Sequence, residues 1–296
     1  MVTLTPTRPP TGRRRRRRAR LAPPPLASLG GLPFFAFMAV FLIIPIGANL
    51  VQTFRSGGAW SLGPLRKVFT PQYLSAFVET FNLSVLTAFV GGVLGLGLAW
   101  ALATIERPVW LRTFTMSFSS LASQSGGVTL AYAFIAMLGT QGLLTRFAPG
   151  LMEDFSLVSF WGVAVVYLYF QVPLMAVLTL PAFSALKSAW REAAMSLGAT
   201  RWQYVRDVVA PILWPPVVGS LLVLFANAFA AYATAYALAG GGLNLVPILI
   251  GFFISGNVLL EPSFAAALVT VMMVFIIGAM GLRILLERRS SAWLDP

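Results

Sequence analysis

Long apolar stretches alternate with short polar segments over most of the chain. A helix needs about 20 consecutive apolar residues to cross a bilayer, and six of these stretches are long enough. The pattern therefore predicts an all-α membrane protein with six transmembrane helices. The predicted spans are residues 30–51, 80–104, 113–138, 157–183, 211–239 and 263–286.

Two polar ends and one interrupted apolar loop complete this organisation. Residues 1–28 are basic and proline-rich, a composition that cannot bury a core, so we expect a disordered cytoplasmic tail. A transmembrane domain at 29–290 and a short C-terminal tail at 291–296 follow. Residues 240–262 are apolar but broken by glycine and proline, which predicts an outer loop that dips part-way into the membrane against protein.

The distribution of positive charge predicts the orientation, because Lys and Arg accumulate on the cytoplasmic side of membrane proteins. With both termini cytoplasmic, the inner segments hold 17 of the 21 Lys and Arg residues. Eight lie in the N-terminal tail, two are Arg107 and Arg112, four lie in the 184–210 loop and three near the C-terminus. The arginine run at 13–18 then serves to keep the N-terminus inside rather than to bind nucleic acid.

The composition excludes most catalytic chemistry. Hydrophobic residues make up 58% of the chain and charged residues 10%, with no cysteine and no histidine. A thiolate metal site and a histidine base are therefore impossible, and the G-x-x-x-x-G-K-[ST] phosphate loop is missing. We expect no enzyme activity, metal or cofactor on this chain. The predicted spans also lack ionisable groups for a proton relay, so energy for uphill transport would come from a partner chain.

A charged segment at residues 184–210 interrupts the apolar pattern. SALKSAWREAAMSL is rich in helix-forming residues, Gly198 is suited to end that helix, and Thr200 is suited to cap a second short helix before Pro211. An apolar stripe recurs at helical spacing along the first helix: Leu186, Trp190, Ala193, Ala194 and Leu197. The residues fit either a helix lying on lipid headgroups or a docking helix for a cytoplasmic partner.

The same segment resembles the EAA loop of the permease subunits of binding-protein-dependent ABC importers with the type I fold. Val208 replaces the usual isoleucine and Ala210 the usual leucine, and the matching residues are Glu192, Ala193, Ala194, Gly198 and Pro211. Two further segments resemble spans of that family: YLSAFVETFNLSVLTAFVGGVLGLGLAWALATIERP and FAAALVTVMMVF. The resemblance covers about residues 70–290.

This resemblance implies a mechanism and a set of partners. The loop would be a coupling helix seated on a cytoplasmic nucleotide-binding ATPase dimer, which holds ATP and Mg and drives alternating access. A second permease subunit, an extracytoplasmic solute-binding protein and the bilayer of the bacterial cytoplasmic membrane complete the expected partners, and nucleic acid is not among them. The coupling residues implied by the family are Arg191, Glu192, Ala193, Ala194, Gly198, Ala199 and Pro211.

Polar residues inside the predicted spans are candidates to line a solute path. Small and hydroxyl-bearing residues also pack membrane helices together, so packing is the competing interpretation for each of them. On the fifth predicted span, Asn227, Ala231 and Thr234 share one helical face. The candidates for the path are Gln124, Gln171, Asn227, Tyr232 and Tyr236.

The outer segment GGGLNLVPILIGFF resembles that of polyamine-type permeases, and an aromatic face can hold a cation. The predicted solute is therefore a polyamine or another small organic ion, with sugar, thiamine, iron and phosphonate as alternatives. Two other classes of function stay open at this point: a stand-alone channel or carrier, and a membrane-anchoring protein.

Overall fold

The computed structural model describes residues 31–104, 109–147, 155–255 and 260–291. The predicted N-terminal tail, Arg107 and residues 292–296 of the predicted C-terminal tail lie outside the described residues. The chain divides into two units, Met1–Gly47 and Ala48–Pro296.

The first unit contains an uncovered apolar helix. α1 (Leu32–Met38) continues through a π-helical turn (Ala39–Ile43) into α2 (Ile44–Thr53), whose last residues belong to the second unit. None of the side chains of α1 or the π-helical turn is buried, and Phe34, Phe35 and Phe41 are strongly exposed. An apolar helix exposed in this way is suited to lipid rather than to water.

After the last residues of α2, the second unit forms a β-hairpin and is otherwise helical. β1 (Arg55–Ser56) pairs antiparallel with β2 (Ala59–Trp60) across a Gly57–Gly58 turn in which both glycines have positive φ. The helices that follow are α3 (Gly63–Val68), α4 (Pro71–Thr104), α5 (Val109–Gln124), α6 (Val128–Leu138), α7 (Leu143–Phe147), α8 (Phe160–Ser184), α9 (Ser188–Ser196), α10 (Arg201–Tyr204), α11 (Ala210–Phe229), α12 (Tyr232–Ala239), α13 (Val246–Ser255) and α14 (Pro262–Ser291).

Within the described residues, six helical segments are long and apolar enough to cross a membrane. They are Leu32–Thr53, Pro71–Thr104, Val128–Phe147, Phe160–Ser184, Arg201–Phe229 and Pro262–Leu286. The predicted all-α architecture with six spans is therefore confirmed. The second span begins nine residues earlier than expected, at Pro71 instead of Thr80, and the outer segment 240–262 contains the short apolar helix α13.

Two predicted spans are wrong in detail because each contains a helix break. The third, predicted at 113–138, is α5 followed by α6, and the chain turns between them at Gly127 with φ +109°. The fifth, predicted at 211–239, is α11 followed by α12, with Ala231 in an extended conformation between them. Hydropathy does not register the break at Ala231, because the residues on both sides remain apolar. The polar run SQSGG at residues 123–127 is too short to divide a predicted span of about 20 residues.

The centre of the second unit is the contact between α4 and α8. Gly91 and Gly95 bring the two helix backbones close together: a Cβ atom at Gly95 would lie 2.4 Å from the carbonyl oxygen of Val172 and 2.5 Å from Cβ of Met175. Small residues allow this close approach, which is the usual way in which membrane helices pack. α5 packs on α8, α11 packs on both helices of this pair, and α14 packs on α11.

Buried hydroxyls on these helices are satisfied locally. Thr80, Ser84 and Thr87 of α4 each donate to a carbonyl four residues earlier, at 2.6–2.8 Å, so they need no water. Thr80 also accepts a hydrogen bond from the backbone N–H of Val246. The polar residues on this face of α4 therefore lie in helix–helix contacts.

Candidate functional site: the charged loop and the two helix breaks

The charged loop is a helix, a tight turn and a second helical segment. α9 starts at Ser188, four residues later than expected, because α8 continues to Ser184. Gly198 has φ +83°, a left-handed conformation that glycine adopts without steric cost. The backbone N–H of Gly198 donates to Met195 at 3.0 Å and that of Ala199 to Ala194 at 3.0 Å. This is the hydrogen-bond pattern of a Schellman motif, as the position of Gly198 suggested.

Thr200 starts the second helical segment with a capping box. Its hydroxyl accepts from the backbone N–H of Gln203 at 3.3 Å, and the Gln203 side chain accepts from the backbone N–H of Thr200 at 2.7 Å. The helix then continues without a gap through a π-helical turn (Val205–Val209) into α11. The expected separate short helix is therefore wrong: Pro211 lies inside the continuous helix, directly after the π-helical turn, and the helix continues past it.

The apolar residues of this loop are uncovered in the single chain. Leu197 is 88% exposed and Trp190 40%, whereas Leu186 and Ala194 are half-buried. Trp202, beyond the turn, is also strongly exposed, at 71%. Trp202 is not among the residues predicted from the sequence. A tryptophan two residues after a capping threonine, in a polar loop, nevertheless indicates an apolar side chain that needs a partner.

The proposed coupling residues have different exposures. Arg191, Glu192, Ala193, Gly198 and Pro211 are exposed, while Ala194 and Ala199 are half-buried in the turn. Within the described residues, Glu192 makes neither a hydrogen bond nor an ion pair. Its carboxylate is therefore free to contact a second molecule and does not brace the loop.

The two helix breaks lie against each other. The hydroxyl of Thr234 in α12 accepts a hydrogen bond from the backbone N–H of Gly127 at 2.7 Å. The Tyr167 hydroxyl donates to the carbonyl of Ala231 at 2.8 Å. Each side chain thus satisfies a backbone group that the interrupted helix leaves without a partner. Thr234 is buried in this contact, so the expected common face of Asn227, Ala231 and Thr234 does not form.

Four of the five path candidates surround these breaks. Gln124 is the last residue of α5, Asn227 lies in the last turn of α11, and both are exposed. Tyr232 and Tyr236 are partly exposed on α12, with stacked rings whose centroids are 5.3 Å apart.

Gln171 is placed differently from the other candidates. It is fully buried between helices, and its Nε2 donates to the carbonyl of Leu224 at 3.1 Å. This hydrogen bond joins α8 to α11 and puts Gln171 inside a helix–helix contact of the single chain.

A cavity of about 500 Å³ adjoins Tyr232. Its walls are mainly apolar and include Ser255 and Met272. Gly251 of α13 lies directly against the ring: a Cβ atom there would be 2.6 Å from the Tyr232 hydroxyl. The position of the Tyr232 ring therefore depends on Gly251.

Comparison with known proteins gives a consistent result. The family model described as "Binding-protein-dependent transport system inner membrane component" matches residues 93–291. A sulfate transport system permease protein of Escherichia coli is 28% identical over 212 residues, which are 69% of this chain and 72% of that protein. A putative ferric transport system permease protein of Haemophilus influenzae is 25% identical over 239 residues. That match covers 79% of this chain but only 37% of the ferric protein, so the chain spans well under half of that relative.

A similar fold is found among solved structures. The crystal structure of a bacterial ABC transporter involved in the import of the acidic polysaccharide alginate matches with a TM-score of 0.68. The match covers 87% of this chain and 94% of the other, at 18% sequence identity. This structural match supports the arrangement of the helices. Because the sequence identity is so low, it carries no information on the solute.

Proposed function

The chain belongs to the family of binding-protein-dependent transport system inner membrane components, and we propose that it uses the charged loop to couple solute movement to ATP hydrolysis on a partner chain. It is a multi-pass membrane permease component of an importer, a transport subunit rather than an enzyme. In this proposal the chain binds no cofactor of its own, and ATP and Mg lie on a nucleotide-binding ATPase dimer.

One observation carries the proposal: the turn at Gly198 is joined to the fifth span by an uninterrupted helical segment, Arg201–Phe229. A force applied to the exposed surface of α9 passes through the hydrogen-bonded Gly198 turn and then reaches the membrane along a continuous helix. Trp190, Leu197 and Trp202 offer apolar anchors for a groove on the ATPase, and aromatic anchors of this kind dominate many interfaces. Ala193 and Ala194 are small enough to let the partner approach closely.

The remaining partners follow from the family and from the charge distribution. A second permease chain, most simply a sibling, completes the path, and an extracytoplasmic solute-binding protein delivers the solute. Both termini and the charged loop face the cytoplasm of a bacterial cell in this proposal. The basic N-terminal tail fixes that orientation and has no role in binding nucleic acid.

We propose a small charged solute. The relatives are named for ferric and sulfate transport, whereas the outer loop suggested a polyamine. These solutes share charge and small size, and thiamine, one of the sequence-based alternatives, is also a small cation. Gln124, Asn227, Tyr232 and Tyr236 are the residues proposed to contact the solute at the helix breaks.

The first test is affinity purification of the tagged chain in mild detergent, followed by reconstitution in liposomes. We expect a nucleotide-binding ATPase and a second six-span permease to remain bound. Glu192→Ala should release most of the ATPase, because it removes an exposed carboxylate of the proposed contact. Asp207→Asn is the matched control, since Asp207 is an exposed acid of the same loop outside the EAA residues.

The reconstituted complex then identifies the solute. ATP-dependent uptake of labelled sulfate, ferric iron, thiamine and spermidine is measured in parallel, with the purified solute-binding protein present. Recovery of a lone oligomer that conducts solute without ATP would instead establish the channel class of function.

Replacing Gly251 by alanine tests whether Tyr232 contacts the solute. The new Cβ would meet the Tyr232 ring at less than 3 Å, so the ring must move. We expect the KM for uptake to rise severalfold while the amount of assembled complex is unchanged. Gly241→Ala is the matched control, because its Cβ would make an ordinary 3.4 Å contact with Phe252. An unchanged KM for Gly251→Ala would remove Tyr232 from the path.

A further inference from the structure

The β-hairpin between the first and second spans carries an unusual exposed pair. Trp60 is 70% exposed, and the guanidinium carbon of Arg55 lies 5.6 Å from the centroid of its ring. The two residues are directly opposite each other in the hairpin, so the backbone pairing fixes their stacking. Tryptophan and arginine are the residue types most enriched among those that dominate protein–protein binding energy.

The hairpin is held rigidly on both sides. The Gly57–Gly58 turn uses two glycines with positive φ, which is the favoured geometry for a two-residue hairpin. Beyond β2, the backbone N–H of Ser61 donates to the carbonyl of Phe54 at 2.9 Å. The Ser61 hydroxyl in turn accepts from the backbone N–H of Gly63 at 3.0 Å. A rigid anchor loses little conformational entropy when it binds.

A polar cavity of about 350 Å³ opens beside this hairpin. Its lining includes Ser56 and Gly57 of the hairpin together with Lys67, Glu261 and Ser263. Lys67 pairs with Glu261 and also lies over the ring of Phe264 at 4.5 Å. The ion pair is only partly covered, so a side chain entering the cavity could reach both charges.

The hairpin and the cavity belong to the same end of the molecule. The connection between spans one and two and the connection between spans five and six must lie on one side of the membrane, opposite to the charged loop. The Lys67–Glu261 contact joins these two connections directly. The described residues of this region carry Arg55, Arg66 and Lys67 against Glu261 and Glu79, which leaves one positive charge in excess.

We propose that this hairpin surface (Arg55, Ser56, Gly57, Trp60, Lys67 and Glu261) docks an acidic loop of the extracytoplasmic solute-binding protein. The inference rests on the proposed function, which supplies that partner. Trp60 is the apolar anchor, and an Asp or Glu side chain of the partner enters the polar cavity towards Lys67. The alternative for an exposed tryptophan is anchoring at the lipid headgroups. The cavity favours a protein, because its walls are polar and include both members of the Lys67–Glu261 ion pair.

The test measures binding of the purified solute-binding protein encoded beside this permease to the assembled transporter in lipid nanodiscs. Trp60→Ala should weaken binding roughly tenfold or more, the range expected for a hot-spot aromatic. Arg55→Gln should weaken binding less and reduce its dependence on salt, because a charge contact is lost. Arg146→Gln, which removes an exposed arginine of α7, is the matched control and should bind as the unchanged transporter does.

Each outcome separates the docking surface from the proposed function. If the unchanged transporter binds the protein and Trp60→Ala binds it equally well, the hairpin surface is not the docking site and the importer function stands. If Trp60→Ala keeps its affinity but lowers the thermal stability of the transporter in the nanodisc, Trp60 is a membrane anchor and the proposal is overturned. If the unchanged transporter binds no solute-binding protein, the importer function fails together with the docking site.

Discussion

Replacing Gly198 by proline is expected to abolish solute uptake while the chain still inserts in the membrane. Proline fixes φ near −65°, whereas Gly198 has φ +83°, and proline also removes the N–H that donates to Met195. The turn between α9 and α10 must then reorganise, so the exposed surface of α9 no longer faces the ATPase in the same direction. The measurement is ATP-driven uptake and stimulated ATPase activity of the reconstituted complex, normalised to its amount in the membrane.

Two milder variants at the same position separate the geometry of the backbone from steric crowding. A Cβ atom at Gly198 would have open space around it, so only the left-handed conformation resists a side chain. Alanine costs about 1–2 kcal/mol in that conformation, and asparagine tolerates it better. Uptake should therefore fall in the order Gly, Asn, Ala and Pro. Full uptake by Gly198→Pro would show that the loop is an interfacial helix and does not transmit coupling.

The six spans and the charged loop were predictable because each depends on local information. Hydropathy over about 20 residues defines a span, and the Gly198 turn follows from conformational preferences of glycine and of a capping threonine. The continuity of the second helical segment is not predicted from the sequence, because a proline such as Pro211 often ends a helix. In the structure Pro211 follows the π-helical turn Val205–Val209, and the helix continues past it to Phe229.

The helix breaks could not be predicted in the same way, because tertiary contacts stabilise them. Gly126 and Gly127 marked a weak point in the third span, but the break also requires Thr234, 107 residues later, to satisfy the free N–H of Gly127. The break at Ala231 depends similarly on the hydroxyl of Tyr167. Alanine gives no local signal of a break, since it is the best helix former.

The same limit applies to the candidate path residues. Gln171 and Gln124 have the same side chain, and both lie within predicted spans. Gln171 is buried against α11, with its amide on the carbonyl of Leu224, whereas Gln124 is exposed at a helix end. A polar residue in a predicted span indicates only that its side chain needs a hydrogen-bond partner. Whether that partner is a backbone carbonyl or a solute depends on the packing of helices far apart in sequence.

Replacing Gly95 by alanine is expected to destabilise the chain severely. Its Cβ would lie 2.4 Å from the carbonyl oxygen of Val172 and 2.5 Å from Cβ of Met175, and neither atom can move without α8. The two central helices must therefore separate, which breaks the contact at the centre of the second unit. Overpacking of a buried contact costs about 1–3 kcal/mol, and a clash with backbone belongs at the upper end. The measurement is the midpoint of thermal unfolding in detergent.

Gly97 of the same helix provides the matched control. A Cβ atom there would meet no other atom within 4 Å, and Gly97 is exposed. Alanine in a helix interior is more favourable than glycine by about 0.5–1 kcal/mol, so Gly97→Ala should unfold at the same temperature or slightly higher. The two variants make the same chemical change two residues apart and differ only in what the new methyl group meets. Equal midpoints for both would show that α4 and α8 are not in close contact in the membrane.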